Sequence, residues 1–300
     1  MKVEAIEPHG FCSGVKAALE KALHALASST SDDVCCLHEI VHNESVVADL
    51  RAKGLRFVER LDEVPAGGTV LFSAHGVPPP VRRAAAARGC RVVDATCPFV
   101  ARVHRQVRAY AERGVPVVVV GHADHVEVRG FVGEALDAGA QVAVLTDAAE
   151  VAGLPFPVAG PVGAVCQTTL AADMVASVLG ALAARFPRLE TTPEAGACTA
   201  TRDRQEAVRA FVARGGDGVL VLGSASSSNT RRLAETARAA GARAWRAADL
   251  HELAGLDFSG TEVLGVTSGA STPEAFFHAA CAALANSAFA RAVPKPPPQR

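Results

Sequence analysis

The chain has 300 residues and a formal net charge of −1 with no basic or acidic block, so neither nucleic acid nor an anionic membrane surface is indicated as a partner and a small ligand is expected. Hydrophobic residues make up 49% of it, enough to fill two or three cores. No segment reaches the roughly 20 apolar residues of a membrane span, and Met1 to Gly10 has neither the basic nor the apolar part of a signal peptide, so a cytoplasmic protein with reduced thiols is expected.

Taken in chain order, the first amphipathic stretch, "SGVKAALEKALHAL", follows Cys12 and reads as a helix. A strand-like run ending in a polar turn comes next, "VCCLHEIVHN" at 34–43, then a helix, a short strand and a second such run, "TVLFSAHG" at 69–76. A closing helix and the strand "RVVD" lead to Cys97. The same plan then repeats: the helix "PFVARVHRQVRAYAERG", the runs "VPVVVVGHADH" at 115–125 and "VGAVCQTT" at 162–169, and a closing helix before Cys198. A third round opens with "TATRDRQEAVRAFVARGG" and contains "GVLVLGSASSSN" at 218–229 and "EVLGVTSGAS" at 262–271. Such alternation predicts an α/β fold of three similar lobes with mostly parallel sheets, in a pseudo-threefold arrangement around a central cavity. The expected lobes are 13–97, 98–195, and 196–286 with 1–12, and the proline-rich segment 287–300 reads as a disordered tail.

Ligand sites in open parallel sheets form beyond the C-terminal ends of the strands, where all the polar turns and Cys12, Cys97 and Cys198 are placed by this plan. A thiol at a helix N-terminus is also where ionisation is easiest. Three thiolates fit a zinc site, an iron–sulfur cluster with one iron left open, or three buried cysteines. Cys35, Cys36, Cys90 and Cys281 read as small buried hydrophobes, while Cys166 adjoins a polar turn. "SASSSN" and "SGAS" have the composition of an anion cradle, with Ser228, Asn229 and Ser271 as donors, and His42, His75 and His125 add imidazoles just past strand ends. No nucleotide-type glycine loop is present, so a compact phosphate or diphosphate fits better. Glu127 is read as a carboxyl at the cavity mouth able to relay protons, with Thr168 and Thr169 opposite, although an acid there also suits the first turn of a helix.

At these residues the sequence resembles the LytB/IspH family of 4-hydroxy-3-methylbut-2-enyl diphosphate reductases. The stretches that carry the resemblance are "GFCSGV", "HEIVHNESVV", "FSAHGV", "DATCP", "GHADHVEV", "QTTL", "ATRDRQEAV", "GSASSSNTRRL" and "TSGASTPE". The resemblance implies a three-lobed fold and a [4Fe-4S] cluster on Cys12, Cys97 and Cys198. It implies that His42, His75, His125, Thr168, Ser227, Ser228, Asn229 and Ser271 hold the substrate diphosphate and its neighbourhood, with Glu127, Thr168 and His125 in the proton path. The reaction implied is reductive removal of an allylic hydroxyl as water, giving isopentenyl and dimethylallyl diphosphates, the last step of the non-mevalonate isoprenoid pathway. With no flavin or nicotinamide domain in view, a ferredoxin or flavodoxin is the expected electron donor. The chain departs from the family pattern at Val126, Ser226 and Thr199. A divergent paralogue, or a hydro-lyase using the open iron on a related diphosphate, is the alternative reading.

Overall fold

The computed structural model describes residues 1–29, 34–192 and 198–286; the expected tail at 287–300 lies outside the described residues. In chain order the elements are β1 (Lys2–Ala5), α1 (Ser13–Ser28), β2 (Val34–Leu37), α2 (Glu44–Ala52), β3 (Arg56–Val58), β4 (Thr69–Phe72), α3 (Pro79–Ala87) and β5 (Arg91–Asp94). They continue with α4 (Pro98–Glu112), β6 (Val117–Val120), α5 (Val126–Asp137), β7 (Val142–Leu145), β8 (Val162–Cys166), α6 (Ala172–Arg185) and β9 (Leu189–Glu190). Last come α7 (Thr199–Ala213), β10 (Gly218–Leu222), α8 (Ser228–Ala239), β11 (Arg243–Ala247), α9 (Leu250–Ala254), β12 (Val263–Ser268) and α10 (Glu274–Ala285). No helix among the described residues is long and apolar enough to cross a membrane.

The strands form three four-stranded sheets, ordered β3-β2-β4-β5, β7-β6-β8-β9 and β11-β10-β12-β1. Every pairing is parallel, where the sequence suggested only a majority. The order is the same each time: a first strand flanked by the second and third, with a fourth beyond the third. In the last sheet that fourth strand is β1, from the opposite end of the chain, paired Lys2 to Val263 through Ala5 to Val266. The chain divides into two compact units, Met1–Cys12 with the residues from Ala200 on, which holds one sheet, and Ser13–Thr199, which holds the other two.

Burial on both faces explains the composition of the central strands. In β6 four consecutive valines are fully buried, Val118 and Val120 against α6 residues Val175, Val178 and Leu182, and Val117 and Val119 against α4 and α5 residues Val103, Val107 and Phe131. β-branched residues suit such a strand because their stiff side chains pack well on a pleated surface covered from both sides. In the other unit, Val219 and Val221 of β10 meet Phe211 and Leu233, while Leu220 and Leu222 meet Leu253 and Phe277. One close approach needs glycine: a Cβ on Gly163 of β8 would lie 2.4 Å from the ring of Tyr110, so α4 sits flat on that strand only because Gly163 has no side chain.

Candidate functional site

In each sheet the connections leave the first and third strands in opposite directions, which opens a crevice between their C-terminal ends. The polar turns all begin there. In the Ser13–Thr199 unit, His42 follows β2 and His75 follows β4. Their rings stack with centroids 4.3 Å apart, and the ring of His125, after β6, stands edge-on 5.4 Å from His42 and 6.0 Å from His75. Burial drives the His75 imidazole well below its ordinary value, and the nearby His42 and His125 push it further the same way. The His75 imidazole, held neutral in this way, is therefore poised to gain a proton when an anion arrives.

Each helix that follows a first strand is capped at its start by a residue of the turn. Asn43 accepts the Val46 N–H at the start of α2, His125 Nδ1 accepts the Glu127 N–H at 3.2 Å at the start of α5, and Ser227 Oγ accepts the Thr230 N–H at 3.3 Å at the start of α8. With Nδ1 used as acceptor, a neutral His125 carries its proton on Nε2. Ser228 and Asn229 are the first two residues of α8 and both are buried. Neither side-chain polar atom of Asn229 has a hydrogen-bond partner, and buried polar atoms seldom stay unpaired without a ligand or water. Ser271, expected as a further donor, is 7% exposed in the turn after β12.

Glu127 is a correction to the sequence reading. It does occupy the first turn of a helix, but it is 1% exposed rather than standing at an open mouth. Its Oε2 accepts the Thr168 N–H at 3.2 Å, which ties the turn after β6 to the turn after β8, and its Oε1 has no partner. Burial pushes this carboxyl up to about 7 although hydrogen bonds from the side chain and backbone of Thr168 pull it down. A carboxyl at that value holds a proton near neutrality and releases it readily, as a general acid must. Thr168 is buried and Thr169 accepts a hydrogen bond from Gln167. Gln167 itself passed without assignment in the sequence. Fully buried, it also accepts the His122 N–H at 3.1 Å and so fixes both turns together; an amide directly after a buried strand was the available signal.

Cys12, Cys97 and Cys198 stand immediately before α1, α4 and α7. Their backbone amides make one repeated contact: Cys97 N–H donates to Ala74 at 3.0 Å, Cys198 N–H to Thr168 at 3.1 Å, and Cys12 N–H to Ala270 at 3.0 Å. The acceptor is always the carbonyl two residues past the third strand. All three are half-buried, whereas Cys35, Cys36 and Cys166 are fully buried, and burial pushes the Cys166 thiol up to about 12 and the Cys36 thiol higher still. Cys90 and Cys281, read as buried, are only half so, each lying at the edge of a core. Among the described residues there is no disulfide and no group of three His, Cys, Asp or Glu side chains able to hold a single metal ion. Half-buried thiols at helix starts are better suited to metal ligation than fully buried ones, whose ionisation burial opposes. Of the departures, Val126 opens α5, Thr199 opens α7, and Ser226 precedes the α8 cap, its N–H donating to Ser224 Oγ at 2.9 Å.

The model of the family described as LytB protein matches residues 3–285. A relative from Tolumonas auensis named 4-hydroxy-3-methylbut-2-enyl diphosphate reductase is 42% identical over 277 residues, covering 91% of this chain and 88% of its own length. A solved structure of the E-1-hydroxy-2-methyl-but-2-enyl-4-diphosphate reductase from Plasmodium falciparum superposes with a TM-score of 0.90 at 32% identity, over 96% of this chain and 89% of that one. Another, described as (E)-4-hydroxy-3-methyl-but-2-enyl diphosphate reductase, the terminal enzyme of the non-mevalonate pathway, gives 0.69 at 30% identity over 95% and 99%. With the matched region running through all three sheets, the chain belongs to the LytB family.

Proposed function

We propose that this chain is a 4-hydroxy-3-methylbut-2-enyl diphosphate reductase. The substrate is an allylic alcohol carrying a diphosphate; two electrons and two protons replace its hydroxyl by hydrogen and release water, giving isopentenyl and dimethylallyl diphosphates. The observation that carries the chemistry is Glu127: a buried carboxyl that keeps its proton to about pH 7, held on Thr168 and next to His125. It donates the proton that turns the departing hydroxide into water. His42, His75 and His125 receive diphosphate oxygens, with Ser227, Ser228, Asn229 and Ser271 as further donors, and anchoring the diphosphate fixes the allyl group for reaction. The unpaired Asn229 amide gains a partner in that complex. Cys12, Cys97 and Cys198 hold the [4Fe-4S] cluster, which when bound supplies electrons one at a time and a Lewis-acidic iron. A small acidic carrier, ferredoxin or flavodoxin, supplies the electrons.

The test is anaerobic reconstitution with iron and sulfide, Mössbauer and EPR spectroscopy, and turnover of the allylic diphosphate with a reduced dye. A cluster together with turnover strictly dependent on reductant is expected. Turnover without reductant assigns the chain to hydration or dehydration chemistry instead, and absence of a cluster in a folded anaerobic sample removes the proposal.

A further inference from the structure

His104 and Glu134 form a buried polar pair that the proposed chemistry leaves unused. His104 lies two turns along α4 from Cys97, on a stripe otherwise made of Val100, Val103, Val107 and Tyr110, and is 3% exposed. Its Nδ1 donates to Glu134 Oε1 at 3.0 Å, Arg82 lies 3.6 Å from the same oxygen, and Glu134 Oε2 accepts from Arg108 at 2.6 and 3.1 Å. Burial raises the Glu134 carboxyl, but the hydrogen bonds from His104 and Arg108 outweigh it and the group is held below its ordinary value. The ionised carboxylate thus fixes the ring's orientation. Phe131 meets the ring edge-on at 5.0 Å, and Nε2 has no hydrogen-bond partner. That unpaired edge faces backbone: a Cβ on Gly76 would lie 2.6 Å from Nε2, and one on Gly130 2.9 Å from Cε1.

Gly76 directly follows His75, and Gly130 is one turn after Glu127. Both backbones approach the imidazole more closely than any residue with a side chain allows. The Thr96 methyl, next to Cys97, crowds the same point, 3.2 Å from the Gly76 Cβ position. We propose that His104 is a positioning residue for the reaction: its ring is the spacer that sets how far the His75 turn stands from the helix carrying His125 and Glu127. A ring this tightly seated transmits its width to both neighbours, because packed interiors do not yield by fractions of an ångström without cost. The inference rests on the reductase reading and assigns the spacing of that same site.

Two readouts test it on the full-length chain: steady-state kinetics of the cluster-loaded enzyme with reduced dye, and calorimetric titration of the unloaded chain with inorganic diphosphate. His104→Ala is expected to lower kcat about tenfold and weaken diphosphate binding about fivefold, since small misplacements of reacting groups are costly. Gly130→Ala, which keeps the imidazole and pushes it aside, is expected to do likewise. Added to His104→Ala, however, it costs nothing further, because its methyl no longer meets a ring. His104→Asn keeps a donor to Glu134 but not the spacer, and is expected to resemble His104→Ala. Costs that simply multiply in the double variant, wild-type behaviour of His104→Ala, or full function in His104→Asn each overturn the spacer. Absence of turnover in the wild-type chain, with diphosphate binding still sensitive to His104, fails the reductase reading alone.

Discussion

A carboxyl that titrates near neutrality changes two curves at once. In the folded chain Glu127 sits at about 7 against an ordinary 4.5. Below 4.5 it is neutral in both states; between 4.5 and about 7 the unfolded chain ionises first, so stability falls as pH rises, and above about 7 the loss is complete. By linkage that loss is about 3 kcal/mol. His75 works in the opposite direction: held low, it favours unfolding as pH falls through 6.5. The comparison that isolates Glu127 is therefore the wild-type chain against Glu127→Gln: denaturant titrations are expected to show the variant free of the downward slope between pH 4.5 and 7. In the proposed role of acid catalyst the same group predicts that kcat falls above pH 7, and that Glu127→Gln lowers kcat about 100-fold or more while leaving inorganic diphosphate affinity within about twofold. The neutral His75 gives a third expectation. A bound dianion favours its protonation, so diphosphate binding is expected to take up protons and to tighten from pH 8 to pH 6, which calorimetry in buffers of different ionisation enthalpy measures. The candidate groups stood out in the sequence because His, Ser, Asn and Glu in the polar turns after apolar strands are out of place in a core. The depth of Glu127 was not, since exposure at the first turn of a helix depends on what covers it.

The helices after the first strands show how an element can aim a residue. α2, α5 and α8 begin within hydrogen-bond reach of Asn43, His125 and Ser227, so the cap that starts each helix also orients its neighbour in the turn. For Asn43 the cap is separable from the proposed chemistry. Asn43→Ala is expected to cost about 1 kcal/mol, read as a lower denaturation midpoint at unchanged slope. Strand and helix alternation was legible because the period of apolar residues switches cleanly, from the valine run of β6 to the spaced Val128, Phe131 and Ala135 of α5. The two-residue β9 was expected only as the closing strand of a repeated plan, its own residues carrying too little pattern to mark it. The His104 and Glu134 pairing was invisible for a different reason: each polar residue lies on its own helix, thirty residues apart, and only packing brings them together. A histidine interrupting an apolar stripe was the one sign of it.

Across the molecule, one connectivity is used three times, and its third use borrows a strand from the far end of the chain. Removing residues 1–5 deletes β1 and leaves β12 without a neighbour on that side. The truncated chain is expected to lose stability in the unit that contains β10 to β12, and Trp245, the single tryptophan, lies on β11 to report it by fluorescence during denaturant unfolding. With Cys12 in its proposed role as a cluster ligand, anaerobic iron uptake per chain is expected to fall with it, since Cys12 lies in the segment between β1 and α1. The repeat was legible only as a plan, because side-chain identity does not recur between the rounds, whereas the resemblance was carried by short stretches from residue 10 onward that tolerate such drift.

The recurring bond from each of Cys12, Cys97 and Cys198 to a carbonyl just past a third strand runs through the main chain alone. An amide and a carbonyl do not register which side chains flank them. Substitutions such as those at Val126, Ser226 and Thr199 can therefore change the side chains of the turns while each cysteine keeps its place relative to its own sheet, so what the turns bind and where the thiols stand are free to drift independently of one another.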